Sequence, residues 1–90
     1  MILKSHSVSD LIFKKRTELK MSQYDVGSKL GWNNKNAQYI SNIEKGKCQL
    51  PSKSVKSLSL ALGVPVEEII LAMCEDYKRA LYLEVYNDIA

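Results

Sequence analysis

NAQYISNIEKGK, residues 36–47, places two isoleucines three positions apart among amides and small polar groups. At about 100° per residue, a helix that turns Ile40 and Ile43 inward carries Gln38, Asn42 and Lys45 on its opposite side, with Ser41 flanking them. A helix face that only meets water usually carries Glu and Lys, which form helices well, whereas Asn and Ser do so poorly. The outward face therefore reflects a demand other than helix stability.

Outward from that stretch, every periodic segment is helical, and no run alternates as a strand does. Towards the N-terminus, Ser22 predicts the N-cap of a helix that ends at Leu30 with Gly31 as its stop. Asp25 completes a capping box there, and Met21 stands where a hydrophobic staple would. An earlier helix runs to about Lys20, capped by Ser7 or Ser9, with Val8, Leu11, Ile12 and Leu19 inward. Between Gly31 and the quoted stretch, Trp32 reads as an apolar plug and Asn33, Asn34 and Lys35 as a polar turn, with the next helix from about Asn36 to Lys45. LPS at 50–52 predicts a turn and a cap for a fourth helix with Val55, Leu58 and Leu62 as its stripe, closed by Gly63. Pro65 and the acids Glu67 and Glu68 suit the first turn of a fifth, whose inward stripe is Val66, Ile69, Ile70 and Met73.

No breaker follows before the chain stops, so the fifth helix extends to about Asp88, roughly 35 Å at 1.5 Å per residue. In its second half Tyr77, Leu81, Tyr82, Leu83, Val85, Tyr86 and Ile89 lie almost all round it. Such a segment must be covered, most simply by a second copy of itself. Residues 1–74 are thus expected to form one domain and residues 75–90 a dimerisation segment extending its last helix.

Ninety residues with 46% hydrophobic composition suit a single small core. Cys48 and Cys74 form no CxxC pair and have no nearby histidine, which argues against zinc or a disulfide framework and for reduced thiols in a cytoplasmic protein. The opening MILKSHS is too short and polar for a signal peptide, and no apolar run approaches a membrane span. His6 stands alone in the N-terminal stretch with no acid or nucleophile partner, and the serines at 52, 54, 57 and 59 compose no triad, so no enzyme, metal or cofactor is expected. Residues 1–56 hold eleven Lys or Arg against four acids, net +7, while residues 57–90 net −4. A basic front and an acidic back suit a protein that presents one end to a polyanion.

SQYDVGSKLG followed by NAQYISNIEKG, with MSQ opening the second helix and LALGVPVEEII closing the match, resembles the helix-turn-helix of the phage-repressor or Xre-like family over about residues 11–72. That resemblance implies an all-α, five-helix fold with Gly27 where a small residue lets the second and third helices cross closely. It also implies a structural ion pair between Arg16 and Glu44, since a carboxylate facing phosphate would repel it. The start of the third helix would enter the major groove. Carried over, Gln38 and Asn42 become the base readers, and Ala37 and Ser41 secondary contacts. Gln23, Lys35, Asn36, Lys45, Lys47 and Lys53 become phosphate contacts. Gln23 is also placed to brace Gln38. Tyr39 points sideways and can reach a phosphate, a thymine methyl or the neighbouring helix. The interval WNNKNAQY is two or three residues longer than the family's usual one, so either the turn is longer or the third helix begins near Asn33 or Asn34.

The function implied is that of a homodimeric repressor bound to double-stranded DNA at a pseudo-palindromic operator. The alternative is an antitoxin or adaptor whose C-terminal helix binds a partner protein.

Overall fold

A computed structural model of the chain describes residues 7–31 and 36–89, with only the backbone of Asn36, Asp88 and Ile89. The described residues form five α-helices, α1 (Ser7–Glu18), α2 (Gln23–Lys29), α3 (Asn36–Glu44), α4 (Val55–Leu62) and α5 (Val66–Ile89), with a 3₁₀ turn at Ser52–Ser54. No strand occurs among them. Trp32, the turn residues Asn33 to Lys35, and His6 lie outside the described residues, as does a start of α3 before Asn36.

The core gathers one stripe from each helix. Val8 and Ile12 come from α1, Val26 from α2, Ile40 and Ile43 from α3, Val55, Leu58 and Leu62 from α4, and Ile69 from α5; Leu30, Leu50 and Val64 from the connections complete it. Ile12, Ile40, Leu58 and Ile69 are wholly buried. Two expected inward residues are not inside. Leu19 is half exposed, because α1 stops at Glu18 and the chain turns before residue 19 can complete the stripe. Ile70 is 46% exposed, because the core meets α5 along the line of Val66, Ile69 and Met73 and leaves residue 70 on the flank.

The ends of α1 and α3 have identifiable stops. α1 closes with Met21 N–H donating to the Arg16 carbonyl (2.9 Å) and Lys20 N–H to the Thr17 carbonyl (3.1 Å). This is a Schellman ending, with Lys20 in the left-handed position at φ 60°, a site that favours glycine. Lys20→Gly is therefore expected to raise stability by up to about 1 kcal/mol, read as a higher urea midpoint. α3 ends the same way, Lys47 N–H reaching the Asn42 carbonyl (2.8 Å) around Gly46 at φ 76°. α2 opens on the expected capping box. Asp25 N–H donates to Ser22 Oγ (3.0 Å) and Ser22 N–H to Asp25 Oδ2 (2.9 Å). Hydrogen bonding from the Ser22 backbone N–H, and then from its hydroxyl, holds the Asp25 carboxyl below the ordinary carboxylate range, so the carboxylate half of this cap is complete above that range and fades only as acid protonates Asp25.

Two other caps differ from expectation. Ser7 and Ser9 both lie inside α1 rather than ahead of it. The Asp76 carboxylate on α5 accepts from Ser7 N–H (2.7 Å) and Val8 N–H (3.1 Å), while Ser9 is buried. The segment after Pro51 winds first as the 3₁₀ turn, and Ser54 precedes α4 with no side-chain cap bond. Ser59 donates its hydroxyl forward to the Val64 carbonyl, past the end of α4. Asp76→Ala should cost about 1 kcal/mol, the usual worth of an N-cap, and should speed amide exchange at Ser7 and Val8 ahead of the α2–α3 unit.

α5 is 24 residues long, about 36 Å, in a molecule that measures 43 × 25 × 23 Å. Its first half packs on α1 and α4. From Tyr77 to Asn87 only Arg79 is even partly buried. Tyr77, Leu81, Tyr82, Leu83, Val85 and Tyr86 are all exposed, and the Tyr82 and Tyr86 rings stack at 5.9 Å.

Candidate nucleic-acid interface

α2 and α3 pack directly on one another, with Val26 and Gly27 buried on α2 and Ile40 and Ile43 buried on α3. Burying the isoleucine side of so short a helix leaves the amide side outward. Gln38 is exposed, with Ala37, Ser41 and Asn42 half-buried around it. Gln38 Nε2 donates to Asn42 Oδ1 at 3.1 Å, one helical turn apart, so the two amides form a single polar unit. Each retains groups for a ligand: the second Gln38 N–H and its carbonyl, and the whole Asn42 amino group.

The position of α3 is fixed from behind by Glu44. Arg16 Nε and Nη2 donate to Glu44 Oε2 (2.7 Å) and Oε1 (3.0 Å), a two-pronged pair whose side chains are only 13% and 8% exposed. Arg16 Nη1 also donates to the Met21 carbonyl (3.1 Å), and the guanidinium sits over the Phe13 ring at 5.3 Å. The bond to Glu44 raises the Arg16 pKa against the opposing effect of burial, so its charge is permanent. Gln23 Nε2 donates to Glu44 Oε1 (3.1 Å). One carboxylate thus ties the end of α1, the start of α2 and the end of α3 together.

The other expected site residues fall in different places. Gln23 braces Glu44, not Gln38, because its amide at the start of α2 meets the last turn of α3 rather than the first. Tyr39 is half-buried and packs against the core. Lys45 and Lys47 are exposed where α3 ends, and Lys53 is exposed on the 3₁₀ turn. Lys35 and the side chain of Asn36 lie outside the described residues. The bond from Gln23 to Glu44 carries no sequence signal beyond an amide early in α2, and the tie between Asp76 and α1 has none, since its partners are 69 and 68 residues apart.

No helix among the described residues is long and apolar enough to cross a membrane. No curated protein sequence matches the chain. A model of the helix-turn-helix family matches residues 12–69, a span that begins in α1, contains the whole α2–α3 unit with its ion pair to Arg16, and ends on the first buried residue of α5. The chain belongs to the Cro/C1-type, Xre-like helix-turn-helix family of DNA-binding regulators.

Proposed function

We propose that this regulator is a sequence-specific repressor that occupies a pseudo-palindromic operator as a homodimer. The observation that carries this is the Gln38–Asn42 amide pair, held outward on a helix whose other side is fully buried. Gln and Asn each match the N6 and N7 edge of adenine in the major groove, so the half-site contains specific A·T pairs. Ala37 and Ser41 flank the reading pair. Lys45, Lys47, Lys35, Lys53 and Asn36 supply phosphate contacts, which fix position without reading sequence. Gln23 joins them only by exchanging Glu44 for a phosphate oxygen, and Tyr39 serves chiefly to seat α3. Two copies joined through Tyr77, Leu81, Tyr82, Val85, Tyr86 and Ile89 would give the two-fold symmetry that a palindrome matches, with half-sites about one helical turn apart. Occupation of such a site excludes other proteins from it.

Selection of binding sites from random duplexes tests the proposal. The expected product is a two-fold symmetric site with A·T pairs at fixed positions, and recovery of unenriched sequence would reject it. Lys47→Ala should weaken binding equally on selected and random duplexes, and should reduce the slope of log affinity against log salt by about 1.

A second reading is favoured by the exposed tyrosines and aliphatics of the α5 tail: a cytoplasmic antitoxin or adaptor whose tail binds a partner protein. Light scattering separates the two, since a stable dimer of the chain alone covers the tail without a partner.

A further inference from the structure

A groove of about 740 Å³ runs beside the first half of α5. Val8, Ile43, Leu50 and Val55 face it from the body, and Ile70, Met73, Cys74 and Tyr77 from α5. At 100° per residue, Ile70, Cys74, Tyr77, Leu81 and Val85 share a sector of about 80° on α5. The groove therefore continues into an exposed apolar stripe along the tail: Ile70, Tyr77, Leu81 and Val85 are 45–66% exposed, and Cys74 is exposed as well.

The spacing of that stripe is nearly the same in either direction. Laid against its own reverse, Ile70 meets Val85 and Cys74 meets Leu81, with the two-fold axis beside Tyr77. Charge follows the same arrangement. Between residues 80 and 89 the only charged residues are Glu84 and Asp88, whereas Lys53 and Lys56 stand on the groove wall. Asp76, the acid on that wall, is engaged by Ser7, Val8 and Arg79. Parallel tails would set Glu84 near its own copy and leave the groove open. Antiparallel tails bring Glu84 and the apolar end of each copy to the basic-rimmed groove of the other, a gain set against Asp88, which the same register places opposite Glu67.

We propose that the groove is the seat of a second copy's tail, the two α5 helices pairing antiparallel so that Leu81 and Val85 of each lie against Cys74 and Ile70 of the other. This rests on the homodimer reading above and specifies its geometry. Because Ile43 and Gly46 also line the groove, the seated tail supports the end of α3, and dimer formation braces the helix that reads DNA.

Disulfide trapping tests the pairing in the full chain. The variant Cys48→Ser/Leu81→Cys keeps Cys74 as its only other thiol. Within one copy, positions 74 and 81 stand about 10 Å apart along the helix, too far for a disulfide. Mild oxidation should double the mass on a non-reducing gel, with peptide mapping placing residue 74 of one copy on residue 81 of the other. The two single-thiol controls, Cys48→Ser alone and Cys48→Ser/Cys74→Ser/Leu81→Cys, should remain uncoupled. A dimer by light scattering that couples only 74 to 74 and 81 to 81, or does not couple, overturns the antiparallel pairing and leaves the dimer standing. A monomer overturns both. In that case, reagent protection of Cys48 that is lost on removing residues 1–6 would assign the groove to the chain's own N-terminus, and an unprotected Cys48 would show the groove open in the free chain.

Discussion

Replacing Glu44 with alanine is expected to lower the stability of the domain by about 3 kcal/mol, the low end of the cost of removing one partner from a buried ion pair. The low end applies because Arg16 keeps its bond to the Met21 carbonyl and its place over Phe13. The loss is nonetheless large, because three donors reach Glu44 and all three become unsatisfied at once. Gln23 loses its acceptor and the guanidinium its counter-ion, at a place where water has little access. Against a total of about 5–15 kcal/mol for a typical domain, such a change removes a large share of the stability. Urea titration measures it. Arg16→Met with Glu44→Leu should lose less than Glu44→Ala alone, since an apolar pair leaves no charge uncompensated. If Glu44→Ala unfolds at the wild-type midpoint, the carboxylate does not organise the three helices.

The parts of the molecule legible in the sequence are those governed by neighbours along the chain. Ser22 and Asp25 announce their capping box because both partners lie within one turn, and Gly46 and Gly63 announce helix ends because the left-handed turn is a property of a single residue. Ile40 and Ile43 reveal the buried side of α3 by period alone, and its amide side follows. Arg16 and Glu44 are 28 residues apart, and no local pattern pairs them; the family resemblance supplied that contact. Where neither locality nor resemblance applied, the sequence misled. Ser7 and Ser9 are sound capping residues, yet Asp76 takes the role because packing of α5 on α1 brings a full negative charge to the positive end of the helix. Ile70 continues the apolar period of α5, but only half the circumference of that helix meets the body. The exposed remainder is the same surface that the tail extends, so one apolar run is divided between the core and an exposed stripe.

Gln38→Ala together with Asn42→Ala should abolish most discrimination between the selected site and random duplex while leaving binding to random duplex nearly unchanged. Each amide matched to an adenine is worth about 1–3 kcal/mol, a factor of about 5 to 150 in affinity. The phosphate contacts proposed for Lys45 and Lys47 are untouched by either substitution, so the sequence-independent term should persist. Folding is spared as well, because Gln38 is exposed and alanine favours the helix more than either amide. The two losses should not add. Asn42 accepts from Gln38, a bond that would fix the rotamer in which Gln38 meets a base; Asn42→Ala should then remove one contact and loosen the other. The double variant should therefore cost less than the two singles combined, and a competition assay with both singles and the double measures that coupling directly. Equal weakening on selected and random duplexes would mean that these amides hold the backbone rather than read bases, and the specificity would then have to lie elsewhere on the protein.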